Sequence, residues 1–196
     1  MFRDFPMTFT SPCRSYVQEV YAGSSLIVEY GTGGSTCYAA QMGKTVLAVE
    51  SSLHWLMELT ASCAERNYPG RVVPLWADIG GTKEWGYPVD ESGVKRWHRY
   101  STIPWLYCEE HGESPDTVLI DGRFRVACFI ATCLAIKRPT RVLFDDFVGR
   151  PHYHDVLKIV PEVDYVGDRL AVFNVQPGCV TPDWLLNNLG RFHDTR

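Results

Sequence analysis

A glycine-rich stretch in this 196-residue chain has the composition of a ligand-binding turn. It reads EYGTGGS from Glu29 to Ser35 and follows the apolar run 26–28. Gly31 and Gly33 allow positive φ angles and let a ligand approach the main chain closely. The pattern is typical of a buried strand that turns into a helix around a nucleotide, dinucleotide or adenosyl cofactor.

Acidic residues form a second group with candidate chemistry, because each predicted parallel strand ends in one. In an open parallel sheet the carboxyl ends of the strands border the ligand crevice, so these acids would share one edge. A single acid there could equally be a helix cap, but a complete set favours a site. The acids are Glu29, Glu50, Asp78, Asp121 and Asp145, with Asp146 following the last of them.

Strands and helices alternate along the chain, which predicts the scaffold that positions these residues. Helices are expected at 11–22, 35–42, 52–66, 102–111, 123–136 and 152–160, and a last helix is expected to begin at Thr181. The alternation predicts an α/β fold, a three-layer doubly wound and mostly parallel sheet with a C-terminal antiparallel hairpin. We expect one domain over 1–196, with an N-terminal helix in 1–24 and an aromatic-rich insertion at 79–114. The predicted strands are 25–29, 45–50, 71–77, 116–121, 141–145, 163–166 and 170–175, and Pro74 favours an outer position for the third.

The spacing of the glycines favours an adenosyl cofactor over a dinucleotide. The dinucleotide fingerprint G-x-G-x-x-G is broken because Thr36 stands at its last position. Glu50 ends the second strand, where a carboxylate can accept both ribose hydroxyl groups. Asp78 and Ile79 follow the third strand, where they could accept from an adenine amino group and cover its ring.

With these motifs the chain resembles the class I S-adenosylmethionine-dependent methyltransferases over residues 26–175. The first family motif appears as EYGTGGS, with Ser35 in the place of the last glycine, and the closing hairpin VDYVGDRLAVFNVQ resembles the reversed last strand. The resemblance implies a Rossmann-like methyltransferase fold and S-adenosylmethionine as cofactor. It also implies that Glu29, Gly31 and Gly33 lie along the methionine part, Glu50 at the ribose, and Asp78 with Ile79 at the adenine.

The resemblance further implies a catalytic edge beside strands four and five. In the catechol-O-methyltransferase-like branch, acids at these strand ends hold a magnesium ion that orients a substrate hydroxyl, and oxygen ligands suit Mg²⁺. Here the corresponding acids are Asp121, Asp145 and Asp146. That branch also has a lysine three residues after its strand-four acid, whereas this chain has Phe124.

An alternative to the metal is that nearby arginines neutralise the same three acids as structural ion pairs. Arg123, Arg125 and Arg150 are the arginines close in sequence. His154, after the strand-five motif, is a candidate base near neutral pH, although a surface histidine without a role fits the sequence too.

Composition excludes several functional classes. The net charge of −4 and pI near 5.8 argue against nucleic acid or a membrane surface as partner. Seven cysteines without a C-x-x-C pair, and an N-terminus without an apolar signal core, lead us to expect a reduced, cytoplasmic protein. Trp85 and its aromatic neighbours in the insertion could form a substrate lid or a packing layer.

The leading hypothesis is methyl transfer from S-adenosylmethionine to a small molecule, at oxygen. One alternative is a binding module that keeps the methyltransferase fold without chemistry, which the missing lysine favours. The other is an NAD-linked oxidoreductase, which the broken fingerprint weakens.

Overall fold

A seven-stranded sheet forms the centre of the protein in the computed structural model, which describes residues 3–196. Its strand order is β3-β2-β1-β4-β5-β7-β6, and β7 runs antiparallel to both of its neighbours while the other pairs are parallel. The strands are β1 (Leu26–Tyr30), β2 (Thr45–Glu50), β3 (Arg71–Trp76), β4 (Thr117–Ile120), β5 (Thr140–Phe144), β6 (Asp164–Val166) and β7 (Leu170–Val175). The predicted fold class is therefore confirmed.

Helices cover both faces of the sheet and make it the middle of three layers. Alternate side chains of each strand point to opposite faces, so Val28 packs towards α4 and α5 while Ile27 packs towards α1, α2 and α3. The helices are α1 (Ser11–Gly23), α2 (Gly34–Gln41), α3 (Leu53–Glu65), α4 (His98–His111), α5 (Arg125–Ala135) and α6 (Pro182–Asn188). None of the described helices has the length and apolar character needed to cross a bilayer.

The topology fixes the position of the candidate site. The chain runs outward from β1 to β3 and then returns to place β4 on the other side of β1. This reversal is the topological switch point, where the loops after β1 and β4 separate to opposite faces and leave a crevice. The acids predicted at strand ends therefore meet the glycine turn at one edge.

Two predicted helix boundaries were wrong for local reasons. Helix α4 begins at His98 instead of Thr102, because the buried Tyr100 and Ser101 extend its packed face by one turn, and Pro104 lies inside the helix. Helix α5 begins at Arg125 instead of Arg123, because Phe124 adopts a left-handed conformation with φ of +52°. Pro74 does lie on an outer strand, as predicted.

Candidate cofactor and active site

The turn after β1 is in close contact with the turn after β4. Gly31 has φ of +84°, and a Cβ atom there would lie 2.7 Å from the Gly122 Cα atom. A Cβ atom on Gly122 would in turn collide with the Tyr100 hydroxyl group. Because both positions exclude a side chain, glycine lets the two loops meet beneath the crevice.

Glu29 lies beneath the glycine turn and is wholly buried. Its Oε1 atom accepts hydrogen bonds from Ser35 and, at 3.3 Å, from the Tyr21 hydroxyl. Its Oε2 atom has no partner among the described residues. Burial raises the pKa of Glu29 to about 7, although the nearby hydroxyl groups of Ser35, Thr36 and Tyr21 act in the opposite direction.

Glu50 faces the same turn from the end of β2. Its Oε1 atom accepts hydrogen bonds from the backbone N–H groups of Ser51 at 2.7 Å and Ser52 at 3.1 Å. Its Oε2 atom lies 3.4 Å from the Thr32 backbone nitrogen. Glu50 is thus fixed beside the glycine turn by the main chain on both sides.

The predicted convergence of Asp121, Asp145 and Asp146 is confirmed. One carboxylate oxygen from each lies within 4.8 Å of the others. Asp145 is fully buried, while the Asp121 side chain keeps 29% of its surface exposed. Burial raises the pKa of Asp121 well above its ordinary value, and the neighbouring aspartates add to this effect while Arg125 opposes it.

Arginines pair with every member of this aspartate cluster. Arg125 lies 3.3 Å from both Asp121 and Asp146, and it donates to the carbonyl oxygens of residues 121, 122 and 145. Arg150 lies 2.8 Å from Asp146. Arg169 lies 2.7 Å from Asp146 and makes a two-bond contact with Asp145.

This arrangement fits structural ion pairs and does not fit Mg²⁺. The three guanidinium groups already balance the three carboxylates, so a divalent cation would meet their repulsion without a net anionic cage. The sequence did not predict the role of Arg169. The prediction that Arg123 helps to neutralise the three aspartates was wrong. The signal for Arg169 lies in the hairpin, because β7 pairs antiparallel with β5 and its start therefore lies beside the end of β5.

The candidate adenine residues follow β3. Asp78 pairs with Arg96, and its Oδ1 atom accepts from the Gly80 N–H at 3.0 Å. Ile79 is wholly buried, and its carbonyl oxygen accepts from the Trp97 indole at 3.1 Å. Their contact with adenine stays a prediction.

His154 lies on the 3₁₀ helix Pro151–Lys158 after β5. Its Nε2 atom is 3.0 Å from the Phe147 carbonyl oxygen, and the two rings pack with centroids 4.8 Å apart. Among the described ion pairs, none joins His154 to the aspartate cluster. Its role as a base stays a prediction.

A short flap, residues 82–88, covers the crevice. Its ends are joined by a β-bridge between Thr82 and Pro88. At its tip Trp85 has φ of +61° and is 85% exposed. The Gly86 carbonyl accepts from the Ser51 hydroxyl at 3.3 Å, and the Tyr87 ring stacks 4.1 Å from the Arg123 guanidinium carbon.

The tryptophans in and beside the insertion differ in burial. Trp97 and Trp105 are buried in the core, so they form the packing layer. Trp85 instead lies exposed on the flap. The packing interpretation is therefore confirmed for Trp97 and Trp105, and the lid stays a prediction.

A relative with the same architecture identifies the family. The chain is 34% identical to a methyltransferase-like protein from Silicibacter pomeroyi DSS-3, with a TM-score of 0.91 over 97% of this chain and 98% of that one. The chain belongs to the class I S-adenosylmethionine-dependent methyltransferase family. Neither a protein-family model nor a curated protein matches it.

More distant members of this methyltransferase fold show the fold alone. An O-methyltransferase from Bacillus cereus, solved in complex with S-adenosylhomocysteine, is 17% identical with a TM-score of 0.59 over 88% of this chain and 84% of that one. A 16S rRNA methyltransferase from T. thermophilus, solved with AdoMet and guanosine, is 12% identical with a TM-score of 0.52. That match covers 88% of this chain and 45% of that one.

Proposed function

We propose that this protein transfers the methyl group of S-adenosylmethionine to an oxygen atom of a small molecule. The observation that carries the proposal is the position of Glu50 beside the Gly31 turn at the topological switch point of the sheet. The unpartnered Oε2 atom of Glu29 also suits a cofactor with a cationic amino-acid tail. Solved neighbours of the same fold that contain S-adenosylhomocysteine or AdoMet support the choice of cofactor.

The residues that would hold the cofactor are those at the carboxyl ends of β1, β2 and β3. Glu50 would accept hydrogen bonds from the ribose, whose hydroxyl groups are good donors to a carboxylate. The glycine turn would admit the methionine part close to the backbone. The remaining assignments are Glu29, Gly31 and Gly33 at the methionine part and Asp78 with Ile79 at the adenine.

The reaction needs an acceptor oxygen that is held in line with the bond between the methyl group and the sulfur, and that loses its proton. S-adenosylmethionine supplies an electrophilic methyl group on a sulfonium. Asp121 is the candidate general base, because its side chain is the most exposed of the three aspartates and burial raises its pKa. Asp145 and Asp146 would orient it through the shared arginines, and His154 is the alternative candidate base. The flap would exclude water from the crevice.

A small acceptor is favoured by the covered crevice and by the charge of the protein. The flap bridges the crevice through contacts with Ser51 and Arg123, and the net charge is −4. An RNA substrate would require a basic surface that attracts phosphates. The partly exposed Asp121 carboxylate suits a hydroxyl acceptor, because a carboxylate can take up its proton.

A second candidate is a binding module of the same fold without chemistry. The specific observation in its favour is that Arg125, Arg150 and Arg169 pair with all three aspartates. Such pairing could make the cluster purely structural.

Calorimetry followed by a turnover assay tests these proposals. S-adenosylmethionine should bind the protein, whereas NAD should not, and the reverse result would overturn the proposed cofactor. Methyl transfer from radiolabelled S-adenosylmethionine would then be measured over a panel of hydroxylated small molecules. Asp121→Asn should abolish turnover and retain cofactor binding, whereas the exposed control Asp164→Asn should retain both. Cofactor binding without turnover across the panel would favour the binding module.

A further inference from the structure

One arginine at the catalytic edge differs from the others in having no acidic partner. Arg125, Arg150 and Arg169 each pair with at least one aspartate. Arg123 lies on the same edge and is only 7% exposed, yet its Nε and Nη1 atoms have no hydrogen-bond partner among the described residues. Arg123 therefore carries two buried donor atoms that residues 3–196 leave unpaired.

A buried guanidinium without acceptors is unfavourable. The N–H groups of Nε and Nη1 have lost their hydration, and the positive charge lies in a region of low dielectric. The Tyr87 ring at 4.1 Å offers a cation–π contact, but an aromatic face is not an acceptor in the plane of the guanidinium. In folded proteins an unsatisfied group of this kind calls for an explanation, and a ligand is one that can be tested.

The location of Arg123 connects it to the crevice. It follows Gly122 directly, and its backbone N–H lies 3.3 Å from the Tyr100 hydroxyl. A Cβ atom built on Gly86 of the flap would lie 3.7 Å from the Arg123 Cγ atom and 3.6 Å from the Glu50 Oε1 atom. Arg123 and Glu50 therefore flank the same segment of the flap.

We propose that Arg123 is a ligand-recognition residue that binds a carboxylate group of a molecule held beneath the flap. This inference rests on the proposed function, because it assigns the anion to that same crevice. A guanidinium with free N–H donors is well matched to a carboxylate, since charge-assisted hydrogen bonds are about twice as strong as neutral ones. The carboxylate can come from the amino-acid tail of the cofactor or from an anionic methyl acceptor.

The first experiment separates these two sources with a matched pair of cofactor fragments. S-adenosylhomocysteine carries an amino-acid carboxylate, and 5′-methylthioadenosine lacks it. Their affinities would be measured by calorimetry for the wild type, Arg123→Met and the control Arg71→Met. Arg71 is exposed at the start of the outer strand β3, and Arg71→Met removes the same charge as Arg123→Met.

The second experiment tests whether Arg123 binds the carboxylate of a methyl acceptor, and it does not require that the acceptor be identified. The melting temperature of each protein would be measured with acetate and with the neutral isostere acetamide, in the presence and absence of S-adenosylhomocysteine. Acetate should raise the melting temperature of the wild type by about 2 °C or more beyond the effect of acetamide. Arg123→Met should lose this difference, whereas Arg71→Met should keep it.

The results distinguish the sources and the proposals. A roughly 10- to 100-fold loss of S-adenosylhomocysteine affinity in Arg123→Met, with 5′-methylthioadenosine unaffected, assigns the carboxylate to the cofactor. Unchanged cofactor affinity with an Arg123-dependent acetate effect assigns the carboxylate to the acceptor.

If neither the fragment pair nor acetate distinguishes Arg123→Met from Arg71→Met, the inference is wrong. Failure of the wild type to bind S-adenosylhomocysteine would overturn the proposed function, and the acetate comparison would still test Arg123. If Arg123→Met does not fold, Arg123→Gln replaces it, and the acetate comparison in the wild type needs no variant.

Discussion

Replacement of Glu29 by glutamine should change how the stability of the protein depends on pH. Glu29 is fully buried, and burial raises its pKa from 4.5 to about 7. Glutamine has nearly the same shape and can still accept the hydrogen bonds from Ser35 and Tyr21, but it does not titrate. The variant therefore isolates the contribution of one proton.

The sign and size of the effect follow from linkage. Between pH 4.5 and 7 the folded protein holds a proton on Glu29 that the unfolded chain releases. The stabilisation from this protonated carboxyl is complete below pH 4.5 and is lost as the pH rises through 7. The pKa of Glu29 rises by about 2.5, and at 1.36 kcal/mol per pH unit this rise corresponds to roughly 3 kcal/mol of folding free energy.

Urea unfolding at pH 4.5 and pH 8 measures this effect. The difference in unfolding free energy between wild type and Glu29→Gln should move by roughly 3 kcal/mol in favour of the variant at the higher pH. Other titrating groups contribute equally to both proteins, so they cancel in the difference. The same pH dependence in both proteins would refute the assignment of a raised pKa to Glu29.

Three further perturbations test the construction of the site. Arg125→Met should cost about 3–5 kcal/mol in urea unfolding because it leaves Asp121 without its arginine and removes the donor to the carbonyl oxygens of residues 121, 122 and 145, and a loss below about 1 kcal/mol would contradict this reasoning. Gly122→Ala should lower the free energy of unfolding by about 1–3 kcal/mol, because the new Cβ atom collides with the Tyr100 hydroxyl. Adding Tyr100→Phe should recover part of this loss. An unchanged loss in the double variant would exclude that contact as the cause. The Cys133 thiol lowers the pKa of Cys179 to about 7, so iodoacetamide should modify Cys179 first at neutral pH, and Cys133→Ala should slow the reaction; equal rates would argue against that effect of Cys133.

The parts of the structure that the sequence predicts are those that local patterns determine. The apolar runs before Glu50 and Asp121 could only be buried strands, and their alternation with helices requires a parallel sheet. Asp121 and Asp145 follow neighbouring strands of that sheet, so their convergence follows from topology. The Gly167–Asp168 turn likewise predicted the antiparallel end of the sheet.

The parts that the sequence did not predict depend on contacts between distant segments. Arg169 reaches Asp145 only because of the register between β5 and β7. The stacking of Tyr87 on Arg123 depends on a flap inside the insertion, which has no hydrophobic periodicity to indicate its path. Gly122 looked like an ordinary turn residue, because its need to lack a side chain appears only where Gly31 and Tyr100 approach it.

The buried charged groups around the glycine turn and the aspartate cluster differ in whether the protein supplies their partners. The aspartate cluster is satisfied by its own arginines, so the folded protein needs no ligand to stabilise it. Glu29 and Arg123 instead keep buried polar atoms without partners among the described residues, and they carry opposite charges in the ionised state. An amino-acid tail carries both an ammonium and a carboxylate, so one ligand could satisfy both. If it does, S-adenosylhomocysteine should bind more tightly as the pH rises through 7, because binding would favour the ionised form of Glu29, and Glu29→Gln should remove that dependence. An affinity that is independent of pH in the wild type would place the ammonium elsewhere.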